Sequence, residues 1–299
     1  MTPAPPSLLD ADFVRELSLL RRRLKVDVRS GGTGERVARR RGGSAEFQEH
    51  RPYAPGDDLR RIDWLAFARS GAPVVKTFRA EEDVTVRILI DASASLDFGS
   101  PKKIEVSRRI AAAVAYLALA DSERAQLLVS GTPDTRGLAV VGEPGRGRGA
   151  LHRILRELTH IEARGRTSLP AALRGVSERA FRPGLLVVLS DFFDAGPVAE
   201  ELSRLRAQGH ALTLVQVLSR MELEPDFEGD LGLVDAETQD EVEVTMDPGA
   251  IEAYLARLAG LVEELRATAR RLAGRYVRVL TDEPLEAPMR RIVLGGNED

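Results

Sequence analysis

VTVRILIDASAS, residues 84–95, decides how this chain is read: a mostly apolar strand runs straight into an aspartate and two serines at alternating positions. Behind it, residues 102–120 read as a helix and RAQLLVS (124–130) as a second strand, which is strand–helix–strand spacing. RGLAVVG (136–142) follows after only the link TPDT, too brief for a crossover helix, and is expected to pair antiparallel at an edge. Residues 151–158 and 170–181 read as helices, and GLLVVLS (184–190) is a strand apolar on both faces, which suits only a sheet covered on both sides. A helix at 197–208, the strand ALTLVQVLS (211–219), a hairpin within 231–246, a helix at 251–272 and the strand YVRVLT (276–281) complete the pattern. The expected fold class is α/β, a doubly wound, mostly parallel sheet with one antiparallel edge strand.

Upstream of that sheet, Leu9, Phe13, Leu17, Leu20 and Leu24 step by four and three and draw one stripe along an amphipathic helix. SGGTGERVARRRGGS (30–44) has five glycines and little apolar content, so a loop or hairpin is expected. Residues 46–83 mix aromatics, a Pro-Gly-Asp-Asp turn and a β-like VVKTF run. Three stretches result: an N-terminal helix within 1–29, a small basic β-rich subdomain over 30–83, and the α/β domain over 84–299.

Composition narrows the function. The chain has 299 residues, 43% hydrophobic and 30% charged, enough for one large core or two modest ones. Its longest apolar run, residues 110–120, falls short of the roughly 18 needed to cross a bilayer, so no membrane span is expected. The acidic start MTPAPPSLLDADF does not read as a secretory signal, which makes the cytoplasm the expected compartment. No cysteine is present, which excludes disulfides, thiolate metal sites and thiol catalysis. The net charge of −3 is unevenly spread, since residues 15–61 hold 13 Lys and Arg against 7 Asp and Glu. A basic stretch of this kind can hold phosphate or an acidic protein, although a solvated face is the commoner meaning.

In a doubly wound sheet, ligands sit beyond the carboxyl ends of the strands, where the strand order reverses. Two strand ends carry carboxylates, Asp91 in the DASAS loop and Asp191 after LLVVLS. Asp91, Ser93 and Ser95 can point the same way from an irregular loop, and Thr167 of GRTSL, with Asp191, completes an all-oxygen cluster. Such a set suits a hard divalent cation, Mg2+ best, with Mn2+ as a substitute. A ligand position left vacant would accept a carboxylate from another molecule.

At these residues the sequence resembles the von Willebrand factor type A fold, whose metal-ion-dependent adhesion site is built from a DxSxS loop, a threonine and a later aspartate. The resemblance implies that Ser93, Ser95 and Thr167 touch the ion and that Asp91 and Asp191 act largely through waters. Further upstream, EFQEHRPYAPGDDLRRIDWLAFARSG (46–71) and VKTFRAEED (75–83), followed by DASAS, are similar to the domain of unknown function 58 family. These are bacterial proteins often encoded beside MoxR-type AAA+ ATPases, and the likeness covers roughly residues 30–281. Many members carry N-terminal membrane helices, which this sequence lacks, and most have methionine where Leu96 stands.

The resemblance implies a non-enzymatic, metal-dependent protein-interaction module that binds an exposed acidic side chain and works with a MoxR-type ATPase in assembly or remodelling of protein complexes. Arg60, Arg61, Trp64 and Arg69 of GDDLRRIDWLAFAR are candidates for a docking surface, against the plainer reading of Trp64 as the subdomain's packing anchor and of Asp58 and Asp63 as ion-pair partners of those arginines. Two alternatives stay open. One is a magnesium-dependent phosphoester hydrolase with Asp97 or Asp194 activating a metal-bound water. The other is nucleic-acid binding through Arg21 to Arg61, which the scarcity of interleaved aromatics disfavours. His50, His152, His160 and His210 show no ligand spacing and are expected to be surface or half-buried residues, and GRGRG (145–149) lacks the lysine of a P-loop.

Overall fold

The computed structural model describes residues 8, 10–30, 46–55, 57–59, 62–79, 84–130, 137–165, 168–193, 198–225, 229–234, 241–246 and 248–295. They form two compact units, Met1–Arg39 with Val84–Asp299, and Arg40–Asp83.

The larger unit is built on six strands: β3 (Thr85–Ile90), β4 (Arg124–Ser130), β5 (Leu138–Gly145), β6 (Leu185–Ser190), β7 (Ala211–Leu218) and β10 (Arg275–Leu280). Their order is β10-β7-β6-β3-β4-β5, parallel throughout except for β5 at one edge. This is the expected doubly wound, von Willebrand type A-like α/β arrangement, and the order reverses between β3 and β6. A hairpin of β8 (Gly229–Val234) and β9 (Glu241–Met246) stands outside the sheet.

Alternation of side chains along the strands divides the core in two. Val86, Ile88 and Ile90 of β3, with Val187, Leu189, Val215 and Val217, face one layer of helices. Leu89, Leu128, Leu186, Val188, Leu212 and Leu214 face the other. The first layer contains α1 (Ala11–Ser30), α3 (Lys103–Ala120), α4 (Gly147–His160) and α9 (Glu286–Leu294), and the second α5 (Leu169–Glu178), α6 (Val198–Ala207) and α8 (Pro248–Arg271). From Ile110 onward α3 carries no charged side chain, and this alanine-rich part is mostly buried, as a helical segment without a polar face must be. Gly184 precedes β6 because a Cβ there would collide with the Thr85 carbonyl of the neighbouring strand.

Helix α1 is built into this core: Phe13, Leu17, Leu20 and Leu24 are at most 4% exposed. Its polar side is tied down as well. Ser18 and Tyr116 share a hydrogen bond (3.1 Å), Arg109 pairs with Glu16 (3.1 Å), Arg21 with Asp121 (2.9 Å), and Arg23 with Glu286. Two of the basic residues of the N-terminal stretch, Arg21 and Arg23, are thus paired within the chain.

One polar group in the larger unit has a consequence for acid stability. His210 lies fully buried just before β7, contrary to the surface or half-buried setting expected of it, and among the described residues neither ring nitrogen has a hydrogen-bond partner. Burial, and then the charge of Arg87, hold its pKa below the ordinary value. Folding therefore favours neutral imidazole. The stability it contributes is present above the unfolded value of about 6.5 and is lost as pH falls through the lower folded value. We expect denaturant midpoints of the parent to decline in that acidic window and His210→Gln to flatten the decline. Parallel curves would contradict this.

The smaller unit pairs β1 (Glu46–Pro52) with β2 (Val74–Arg79) antiparallel. Helix α2 (Trp64–Ser70) is capped by Asp63, whose carboxylate accepts from the Leu65 and Ala66 amides (3.0 and 3.1 Å), and it ends at Gly71 in a left-handed conformation. Arg51 pairs with Asp57 across the turn.

Candidate functional site

Site chemistry gathers where β3, β6 and β7 end. Asp91 follows β3 and is 3% exposed. Its Oδ1 accepts from the Ser93 amide and the Ser130 hydroxyl, both at 3.0 Å, and its Oδ2 from the Ser190 hydroxyl at 2.7 Å. Ser130 and Ser190 terminate the two strands that flank β3, and each also accepts a loop amide, from Ala92 (2.7 Å) and Phe192 (2.9 Å) respectively. Strand-end hydroxyls thus tie Asp91 to both neighbouring strands. Burial, followed by the charge of Asp191, pushes the Asp91 carboxyl above its usual range, while the Ser190, Ser93 and Ser130 hydrogen bonds oppose the shift.

In front of Asp91 the Ser93 and Ser95 hydroxyls share a hydrogen bond at 3.0 Å, Ser93 buried and Ser95 partly open. Neighbouring oxygens in an octahedral shell of about 2.1 Å radius are also about 3.0 Å apart. The pair already has the separation of adjacent ligands. Among the described residues no three His, Cys, Asp or Glu side chains form a metal-holding group, so ligation here would depend on hydroxyls rather than a carboxylate cage. The donor set is all oxygen and suits a hard divalent ion: Ser93 and Ser95 would hold it directly, with Asp91 and Asp191 behind.

Thr167 lies outside the described residues. The chain on its N-terminal side is fastened to the Asp91 loop by two backbone bonds, Arg164 N–H to the Ala92 carbonyl (2.9 Å) and Ala94 N–H to the Gly165 carbonyl (3.1 Å). On its C-terminal side Ser168 caps α5.

Asp191 is 2% exposed, and its Oδ1 accepts from the Phe193 amide at 3.1 Å. The chain turns at once through Phe192, a non-glycine residue at φ 60° whose buried ring and amide bond to Ser190 hold the strained conformation. Oδ2 accepts from the Lys103 ammonium at 2.8 Å, and the same ammonium donates to Glu222 Oε1 at 2.7 Å. Lys103 is fully buried, with the rings of Phe193 and Phe98 at 5.0 and 5.8 Å from its nitrogen. Glu222 sits in the short helix α7 (Arg220–Leu223) and closes a capping box by accepting the Ser219 amide (2.7 Å). Burial raises its pKa against the opposing pull of Lys103. Nearby, burial and then the charges of Glu222 and Asp191 push Tyr254 up to about 12. Gly99, at φ 95°, lets the β3–α3 loop close on Ser219, where a Cβ would come within 3.0 Å. Phe98 and Phe193, on the loops that follow β3 and β6, and Met221 in α7 stay 41%, 38% and 44% exposed, so the polar centre has apolar neighbours at the surface.

Lys103, Glu222, Ser130 and Ser190 were not anticipated from sequence. One signal existed: two lysines begin α3, where the helix dipole disfavours positive charge, and a broken local rule marks a site. Of the other expected residues, Asp97 is exposed and paired with Lys102 (2.7 Å), and Asp194, Arg60 and Arg61 lie outside the described residues. Trp64 is 61% exposed and stacks edge-on against Phe67, 6.2 Å between centroids, so it is not a packing anchor. Asp63 caps α2, and Arg69 lies exposed on the same helix.

Sheet order and site together define a doubly wound domain of the von Willebrand type A kind with an oxygen-lined switch point. The chain belongs to the family described as protein of unknown function DUF58, whose profile matches residues 49–260. Uncharacterized proteins of Mycobacterium tuberculosis and Mycobacterium bovis are each 29% identical over 302 residues, covering 97% of this chain and 93% of theirs. Among solved structures, the hypothetical protein BatB of Bacteroides thetaiotaomicron is similar at a TM-score of 0.44 and 15% identity, over 71% of this chain and 97% of that one. An aerotolerance-related membrane protein of Bacteroides fragilis gives 0.42 and 15%, over 71% and 96%. At these scores the likeness adds nothing to what the strand order shows. Among the described residues no helix is long and apolar enough to cross a membrane.

Proposed function

We propose that this protein is a divalent-metal-dependent protein-interaction module that captures an exposed acidic side chain of a partner, and that its associate is a MoxR-type AAA+ ATPase. The observation that carries the reading is the Ser93–Ser95 hydroxyl pair set against the buried, multiply hydrogen-bonded Asp91. When bound, Mg2+ or Mn2+ would supply a Lewis-acidic position for a carboxylate from outside. The chain's own residues present the hydroxyls, fix Asp91 and Asp191 behind them, and offer Phe98, Phe193 and Met221 as apolar contact around the captured group. The ATPase partnership rests on the family resemblance and on nothing in the geometry. Asp97, one of the two acids considered for activating a metal-bound water, is paired with Lys102, and capture is the reading the site supports best.

Binding to the purified, nucleotide-free ATPase tests the proposal. Association in magnesium that is lost on chelation, and lost in Ser93→Ala/Ser95→Ala, is the expected result. Association indifferent to both, or none in magnesium, would contradict it.

A further inference from the structure

Four charges are buried together at this site: Asp91, Asp191, Glu222 and Lys103. A lysine held between two carboxylates at 2.7 and 2.8 Å, fully shielded by protein, is a resident cation that the ligand role of Asp191 does not require. Glu222 offsets it. With the pair present, a visiting ion meets a cluster carrying two negative charges in sum. Without Lys103 that sum would be three, and without Glu222 it would be one.

On the strength of the metal reading above, we infer that Lys103 and Glu222 are a matched pair of positioning residues that sets the affinity of the cation site, Lys103 weakening it and Glu222 strengthening it through charge. Lys103 also orients Asp191 by holding Oδ2 while the Phe193 amide holds Oδ1. Neither residue is a candidate ligand, so each acts through its field. One unit charge a few ångströms beyond the ligand shell, even when screened nearly as in water, changes divalent affinity by about tenfold or more.

Manganese titrated calorimetrically into the full chain, at one fixed pH, decides the matter. Glu222→Gln should weaken binding about tenfold and Lys103→Met should tighten it about tenfold. The double variant should return to within about threefold of the parent, because the net charge is restored. A structural role alone would weaken binding in all three. Lys103→Met leaves two buried carboxylates without their counterion, and if it does not fold, Glu222→Gln against the double variant carries the test. Single variants shifting the same way, or a double variant as weak as Glu222→Gln, would overturn the inference while leaving the metal reading intact. A parent chain that takes no manganese would overturn both, with Lys103 then standing as the cation that replaces the ion.

Discussion

Asp91→Asn is expected to bind magnesium or manganese about a hundredfold more weakly than the parent protein while keeping its fold. The substitution preserves shape and one acceptor oxygen, so the Ser130 and Ser190 hydroxyls, whose protons can rotate, keep partners. What disappears is a full negative charge. At the separations of ion ligation, through a partly buried medium, that charge contributes about 3 kcal/mol to holding a divalent cation, on the order of a hundredfold in affinity. The same change relieves the repulsion from Asp191 and the burial penalty that raise the Asp91 pKa, so stability should hold or rise. Calorimetric titration with manganese, beside thermal denaturation, separates the two effects. Unchanged affinity, or affinity lost only together with the fold, would contradict the assignment.

Phe13→Ala carries the second large effect and bears on how the chain is divided. Phe13 is 1% exposed and belongs to the same core as Ile110, Val277 and Met289, with the Arg109 guanidinium 5.7 Å from its ring. Truncating a buried phenylalanine costs about 3 to 5 kcal/mol, or roughly 10 °C in the midpoint of a unit this size. If α1 were instead a detachable N-terminal helix, the melting temperature of the rest would move by no more than about 2 °C. Thermal denaturation by circular dichroism gives the answer directly.

Period made the strands and most helices legible, because the parallel strands are apolar on both faces and the helices between them repeat apolar residues every three or four positions. The antiparallel placement of β5 followed from a link too short to cross the sheet. Helix α9 escaped because it is only nine residues long, with Pro288 in its first turn, and its burial against α1 and α3 is a tertiary fact. Asp91, Ser93, Ser95 and Asp191 could be picked out because each follows a strand end with a regular spacing. Ser130 and Ser190 look like ordinary strand termini, and Glu222 like a capping acid. Their part depends on which strands lie side by side. Trp64 shows the converse failure, since a lone tryptophan reads as an anchor while its helix has no buried residue at all. His210 reads as a polar residue preceding a strand, and only the packed sheet encloses it.

Capture of an acidic side chain at this site requires a divalent cation against the hydroxyls of Ser93 and Ser95. A crystal of the full chain grown with manganese, measured for anomalous scattering, tests it most directly. One strong peak within ligand distance of both hydroxyls, with Asp91 and Asp191 behind it, is the expected result. A map empty there, in a crystal form where solvent reaches the site, or a peak only elsewhere on the molecule, would contradict it.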